Sequence, residues 1–182
     1  MKDTDNPWKI RRSEKKYSNP WIEVTEYQLD HRVAGDTLYG KVHFKNLAIA
    51  ILPVDAEGYT WLVGQYRFTT DQYSWEVPAG GGALDVDPLE SAKRELKEET
   101  GIEANRWEVV SRSHLSNSVT DEQSISYLAR DLTQGDSCPE ESEILNLKRV
   151  HLNEVFGMIK DGVITDALSI LTLYGAREFL RK

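Results

Sequence analysis

Three carboxylates stand at Glu95, Glu98 and Glu99 of a 182-residue chain, and on an α-helix at 100° per residue they fall within about a 100° arc. Like charges three and four residues apart cost an isolated helix roughly 0.2–0.5 kcal/mol per pair, a penalty that a bound cation removes. Oxygen donors without a neighbouring His or Cys favour a hard ion, Mg²⁺ or Mn²⁺ in its place, over zinc. The alternative for the same acids is a solvated face paired with Lys93, Arg94 and Lys97. Just upstream, Pro78, Ala79, Gly80, Gly81 and Gly82 predict a turn whose missing side chains let backbone groups approach a ligand closely. No Lys followed by Ser or Thr comes after these glycines, so a P-loop is excluded.

The helix that must carry the acids has its own start and stop. Asp87 is an N-cap, Pro88 suits the first helical position, Glu90 completes a capping box, and Gly101 supplies the left-handed end. Leu89, Ala92 and Leu96 form the stripe that packs on a sheet, leaving the three acids on an exposed edge beside it. Residues 21–27 and 37–44 read as the two strands of an N-terminal hairpin, with a turn over 31–36. Residues 47–54, dense in Ala, Ile, Leu and Val, and residues 60–66 read as two buried neighbouring strands at the sheet centre. Further strands are expected over 107–111, 123–129 and 147–152, and helices over 154–159 and 166–180. The mixture makes the fold class α/β. The loop over 133–142 is the longest stretch without periodicity, and such loops often carry function.

Composition narrows the partners. The chain has a formal charge of −8 and a pI near 5.1, which disfavours binding a nucleic-acid polymer. A small phosphorylated ligand is still compatible, because a cation held by a few carboxylates receives phosphate locally. Cys138 is the single cysteine, which leaves no intrachain disulfide and points to a reducing, cytoplasmic setting. The polar first twenty residues and the short apolar runs give no sign of a signal peptide or a membrane span. His31, His43, His114 and His151 lack metal-ligand spacing and read as structural or surface residues.

Residues 80–102, GGGALDVDPLESAKRELKEETGI, resemble the Nudix box, the loop, helix, loop signature of Nudix hydrolases. The tail from Arg94 to Ile102 is its most specific part, and one position departs, Val86 standing where the family has Glu. The likeness extends to Asn19–Pro20–Trp21, to Gly64–Gln65–Tyr66–Arg67, to residues 73–80 and to residues 161–167, which are similar to the branch of ADP-ribose and nucleoside-diphosphate-sugar pyrophosphatases. The resemblance implies a Nudix α/β/α sandwich with a mixed sheet, preceded by an N-terminal antiparallel hairpin. Along the chain the expectation is a flexible arm over 1–18, dimerising N-terminal strands over 19–45 and a catalytic domain over 46–182.

The resemblance also implies an activity: Mg²⁺-dependent hydrolysis of a nucleoside diphosphate sugar such as ADP-ribose or GDP-mannose, by a homodimer joined through the N-terminal strands. Glu95, Glu99 and the carbonyl of Ala79 would ligate the metal, with Glu98 sharing a second ion or a bridging water. The general base falls in the later acidic loop, on Glu141 or its competitor Glu140, and Glu143 is a further ligand. Arg67 would contact the diphosphate or pair with a neighbouring Glu. Trp21 would stack on the base or serve as an ordinary core or dimer tryptophan. Glu76 would contact the ligand or orient the loop, and Gly80 and Gly81 would line the substrate. Two other functions compete: a catalytically silent nucleotide-sensing module, motivated by Val86, and a Nudix enzyme for a nucleoside triphosphate or capped RNA.

Overall fold

The computed structural model describes residues 5–135 and 144–180. The chain divides into two compact units, residues 1–46 with 114–122, and residues 47–113 with 123–182.

The first unit is a three-stranded antiparallel sheet in the order β1 (Trp8–Ser18), β2 (Ile22–His31), β3 (Gly35–Phe44). The expected hairpin is β2 and β3, in unbroken register from Ile22↔Phe44 to His31↔Gly35. Its turn closes where His31 Nδ1 accepts the Ala34 N–H at 3.0 Å and Gly35 takes φ +72°. The flexible arm expected over 1–18 is instead, from Trp8 onward, a strand paired to β2. Every side chain of β1 is exposed, so no apolar alternation marks it. It is held by backbone pairing and by cross-strand ion pairs, Lys15–Glu23 at 2.5 Å, Lys16–Glu26 at 3.1 Å and Arg11–Asp30 at 3.2 Å. Asp121 ties segment 114–122 to β3: it accepts from Lys41 Nζ and from the Phe44 N–H, both at 3.1 Å, and lies 2.8 Å from His43 Nδ1.

The second unit is layered. A four-stranded sheet runs β7 (Ala79–Ala83), β4 (Asn46–Pro53), β9 (Gln123–Gln134), β8 (Ile102–His114), and a three-stranded sheet runs β10 (Asn146–His151), β5 (Tyr59–Arg67), β6 (Gln72–Glu76). β4 pairs parallel with β9, an internal position that explains its near-continuous apolar sequence. The expected partnership of residues 47–54 with 60–66 is not formed as a ladder. Only an isolated bridge joins Val54 to Thr60, and β5 pairs antiparallel with β6 and β10 instead. Apolar content signals burial but not the neighbour, because both strands are buried wherever they pair.

Helix α1 (Pro88–Thr100) packs its Ala92 and Leu96 on Ile49, Ile51, Ile125 and Tyr127. Residues between these on β9 point to the opposite face, where Ser126 receives the Thr172 hydroxyl of α3 (Ala167–Leu180) at 2.8 Å. Helices on both faces of a mixed sheet make the α/β/α sandwich. The helix expected over 154–159 is α2 (Leu152–Lys160).

Candidate active site

α1 begins and ends where its caps require. The Asp87 carboxylate accepts the Leu89 N–H at 2.9 Å, and Gly101 at φ +71° returns its N–H to the Lys97 carbonyl at 2.8 Å. Glu90 does not reach back to the cap but pairs with Lys93 at 2.7 Å. The glycines before the helix are not a turn: residues 79–83 form β7, beside β4, at the edge of the four-stranded sheet. Its approach is set from both sides, since the Ser169 hydroxyl of α3 accepts the Val77 N–H at 3.0 Å and the Pro78 carbonyl accepts the Ile51 N–H at 2.8 Å.

The three acids occupy different environments. Glu99 is only 4% exposed, and its Oε2 accepts the Ala79 N–H at 3.0 Å, joining helix to strand. The expected single exposed edge is therefore corrected, because the helix rolls far enough onto β7 to bury one of its acids. Glu95 is largely enclosed and Glu98 half open. Arg94 spans them, donating at 2.6 Å to Glu95 Oε1, at 2.6 Å to Glu98 Oε2 and at 2.9 Å to the Gly81 carbonyl. Burial pulls the Arg94 pKa down, and the charges of Glu95 and Glu98 more than offset it, leaving it raised.

Gly80 is the closest approach of strand and helix. A Cβ there would overlap the Cδ and both carboxylate oxygens of Glu95. Oxygen-only donors, a glycine cradle shaped around one carboxylate and a cation already drawn between two acids all suit a hard divalent ion. Glu95, Glu98 and Glu99 are the side chains that would hold it, with the Ala79 and Gly80 backbone alongside.

Arg67, at the end of β5, makes a bidentate pair with Glu76, at the end of β6: Nε to Oε1 at 2.9 Å and Nη2 to Oε2 at 2.5 Å. The alternative of a pair with a neighbouring Glu is thus realised. Burial pushes the Glu76 carboxyl up, but the Arg67 hydrogen bond and charge overcome it and hold it below the usual carboxylate range. Trp21, 65% exposed, sits in the first unit after a turn in which Asn19 Oδ1 accepts the Trp21 N–H at 2.9 Å and the Ile22 N–H at 2.7 Å. Glu140, Glu141 and Glu143 lie outside the described residues. The sequence places Arg94 only among surface partners of the acids; its four-residue spacing from Glu98 was the available signal. Ser169 carried none, being 92 residues from the amide it receives.

A capped helix that presses carboxylates against a glycine strand within an α/β/α sandwich is an arrangement suited to holding a divalent ion beside a phosphorylated ligand. A NUDIX domain model matches residues 44–171, and the chain belongs to the Nudix family of pyrophosphohydrolases. Among similar proteins, a methanol dehydrogenase activator of Bacillus methanolicus is 30% identical over 128 residues, 69% of this chain and 69% of that protein. An ADP-ribose pyrophosphatase of Mycobacterium tuberculosis is 39% identical over 90 residues, covering 48% of this chain and 42% of that protein. An ADP-ribose pyrophosphatase of Bacillus subtilis is 30% identical over 122 residues, 66% of each. The crystal structure of an ADP compounds hydrolase matches with a TM-score of 0.88 over 99% of this chain and 97% of that one, at 22% identity, a likeness of fold.

Proposed function

We propose that this protein hydrolyses the diphosphate of a nucleoside diphosphate sugar, ADP-ribose foremost, to a nucleoside monophosphate and a sugar phosphate in the presence of Mg²⁺. The observation that carries the proposal is the placement of Glu95 and Glu99 against Gly80 and Ala79, which puts two carboxylates where strand backbone and helix meet. The ADP-ribose pyrophosphatases among its relatives support the substrate class.

A divalent ion in this position would neutralise charge developing on the diphosphate oxygens. The protein's own residues do the rest. Glu99, fixed by the Ala79 amide, presents one oriented carboxylate, and Glu95 fills the cradle over Gly80. Arg94 donates to both Glu95 and Glu98 and so fixes where their carboxylates point. Glu141, in the acidic segment after β9, takes the proton from the attacking water, with Glu140 its competitor and Glu143 supporting the metal. Arg67 offers its exposed edge to a phosphate while Glu76 holds the other. Trp21 supplies an exposed ring for a nucleobase. The N-terminal strands join two copies, and the setting is cytoplasmic.

The test is product analysis on a panel of ADP-ribose, GDP-mannose, a nucleoside triphosphate and capped RNA, with Mg²⁺ and with chelator. Release of AMP and ribose phosphate only with the ion bears the reading out. Binding without cleavage of every member overturns it in favour of a sensing module. Sedimentation at micromolar concentration tests the dimer.

A further inference from the structure

Two residues, Val77 and Pro78, carry the chain from β6 in the three-stranded sheet to β7 in the four-stranded sheet. On one side of this link stands Glu76, paired with Arg67, and on the other Ala79, whose N–H is held by Glu99. A link so short and so buried has few backbone polar groups, and each needs a partner. Pro78 has no N–H, and its carbonyl accepts the Ile51 N–H of β4 at 2.8 Å. The Val77 N–H donates not to a strand but to a side chain, the Ser169 hydroxyl of α3, at 3.0 Å. Both residues are buried.

Ser169 is itself held in place. Asp166 caps α3, its carboxylate accepting the Ser169 N–H at 2.7 Å and its carbonyl the Ile170 N–H at 3.0 Å. One turn on, the Thr172 hydroxyl donates to Ser126 and seats the helix on β9. The capping carboxylate is also felt at Arg67, whose pKa is raised first by the Glu76 hydrogen bond and then, against the pull of burial, by the charges of Glu76, Asp166 and Glu99. The first turn of α3 therefore lies beside the acids and the arginine of the site.

We propose that Ser169 is a positioning residue: its hydroxyl fixes the link between β6 and β7, and so sets the Ala79 and Gly80 backbone against Glu95 and Glu99. This rests on the hydrolase reading above, in which that backbone lies beside the divalent ion. Alanine at 169 keeps the helix and nearly all of the volume but removes the acceptor of the buried Val77 N–H. The link must then open to water or shift, and the Ala79 backbone moves with it. Groups that orient metal ligands without touching the metal change affinity or activity by about 10–100-fold.

The experiment compares Ser169→Ala with Thr172→Val in the full chain. The second variant removes a buried hydroxyl bond of the same helix, but one that meets β9 and not the link. Both should lower the thermal midpoint by about 2–8 °C. Ser169→Ala alone should weaken Mg²⁺ binding about tenfold, measured by calorimetry without substrate, and lower kcat on ADP-ribose at saturating Mg²⁺ about tenfold. In metal-free protein, the Val77 and Ala79 amides should exchange at least about fivefold faster in Ser169→Ala than in Thr172→Val. Ser169→Cys, whose sulfur accepts only weakly, should fall between wild type and alanine, and it carries the comparison if Ser169→Ala does not fold. Mg²⁺ affinity, kcat and exchange that match between Ser169→Ala and Thr172→Val reduce Ser169 to a packing contact and overturn the proposal. If the wild type cleaves no member of the panel, the hydrolase reading fails separately. The positioning role is then judged on exchange, where equal rates at Val77 and Ala79 in the two variants refute it.

Discussion

Replacing Gly80 by Ala probes the contact on which the site depends. The added methyl would overlap all three carboxylate atoms of Glu95, whereas non-bonded heavy atoms settle at about 3.5–4.0 Å. The carboxylate must therefore retreat by on the order of 1 Å, a displacement that costs about 100-fold in rate when it befalls an oriented catalytic group. In free energy this is about 2.7 kcal/mol of transition-state stabilisation. The fold should hardly notice, because what yields is the end of a flexible side chain and Ala restricts the unfolded chain by about 0.4–1 kcal/mol in compensation. The assay is kcat at saturating ADP-ribose, Mg²⁺ titrations of both proteins and urea midpoints. The expected result is a large kcat loss, a Mg²⁺ requirement shifted upward and stability within about 1 kcal/mol of wild type. Gly157→Ala is the control, since nothing lies within 4 Å of its added Cβ on α2. Gly80→Ala turnover within about threefold of wild type, with an unshifted Mg²⁺ curve, would refute the placement of Glu95.

Glu99→Gln keeps an acceptor for the Ala79 N–H but removes the charge, so kcat should fall at least about 100-fold while urea midpoints change little; near-native turnover removes Glu99 from the metal site. Glu141→Gln should slow hydrolysis with Mg²⁺ affinity intact, checked by metal titration beside rate, and an unchanged rate transfers the base to Glu140 or Glu143. Arg67→Met strands the buried Glu76 carboxylate and should cost about 2–3 kcal/mol near neutral pH, less than a fully buried pair because Arg67 is 40% exposed. The sign of its pH dependence is the sharper check. In the wild type the depressed Glu76 pKa contributes stability that is present above the unfolded carboxyl value and lost only as pH falls through the lower folded value. Without Arg67, burial outweighs the remaining Ser74 hydrogen bond and raises that pKa, so the variant should gain stability relative to wild type as pH is lowered from about 7 to about 5 in urea titrations. A gap between the two proteins that stays constant or widens over that range contradicts the pairing.

Much of this molecule was legible along the chain because its signals are local. Asp87, Pro88 and Gly101 announce the ends of α1 by backbone chemistry confined to a few residues, and a 3.6-residue period puts Ala92 and Leu96 on the sheet whatever the sheet is. The Nudix-like tail from Arg94 to Ile102 lies inside that single element, so its recognition needed no partner strand. What folding alone settled involves pairs remote in sequence. β1 is a strand through its pairing with β2, and β5 turns away from β4 toward β6 and β10. Glu99 is buried rather than exposed because β7 comes against the helix, and Arg67 finds Glu76 across a hairpin. Spacing in sequence states which side chains share a face of one element; which element that face meets depends on the competition for burial and for backbone partners among all of them, and no single segment contains that information.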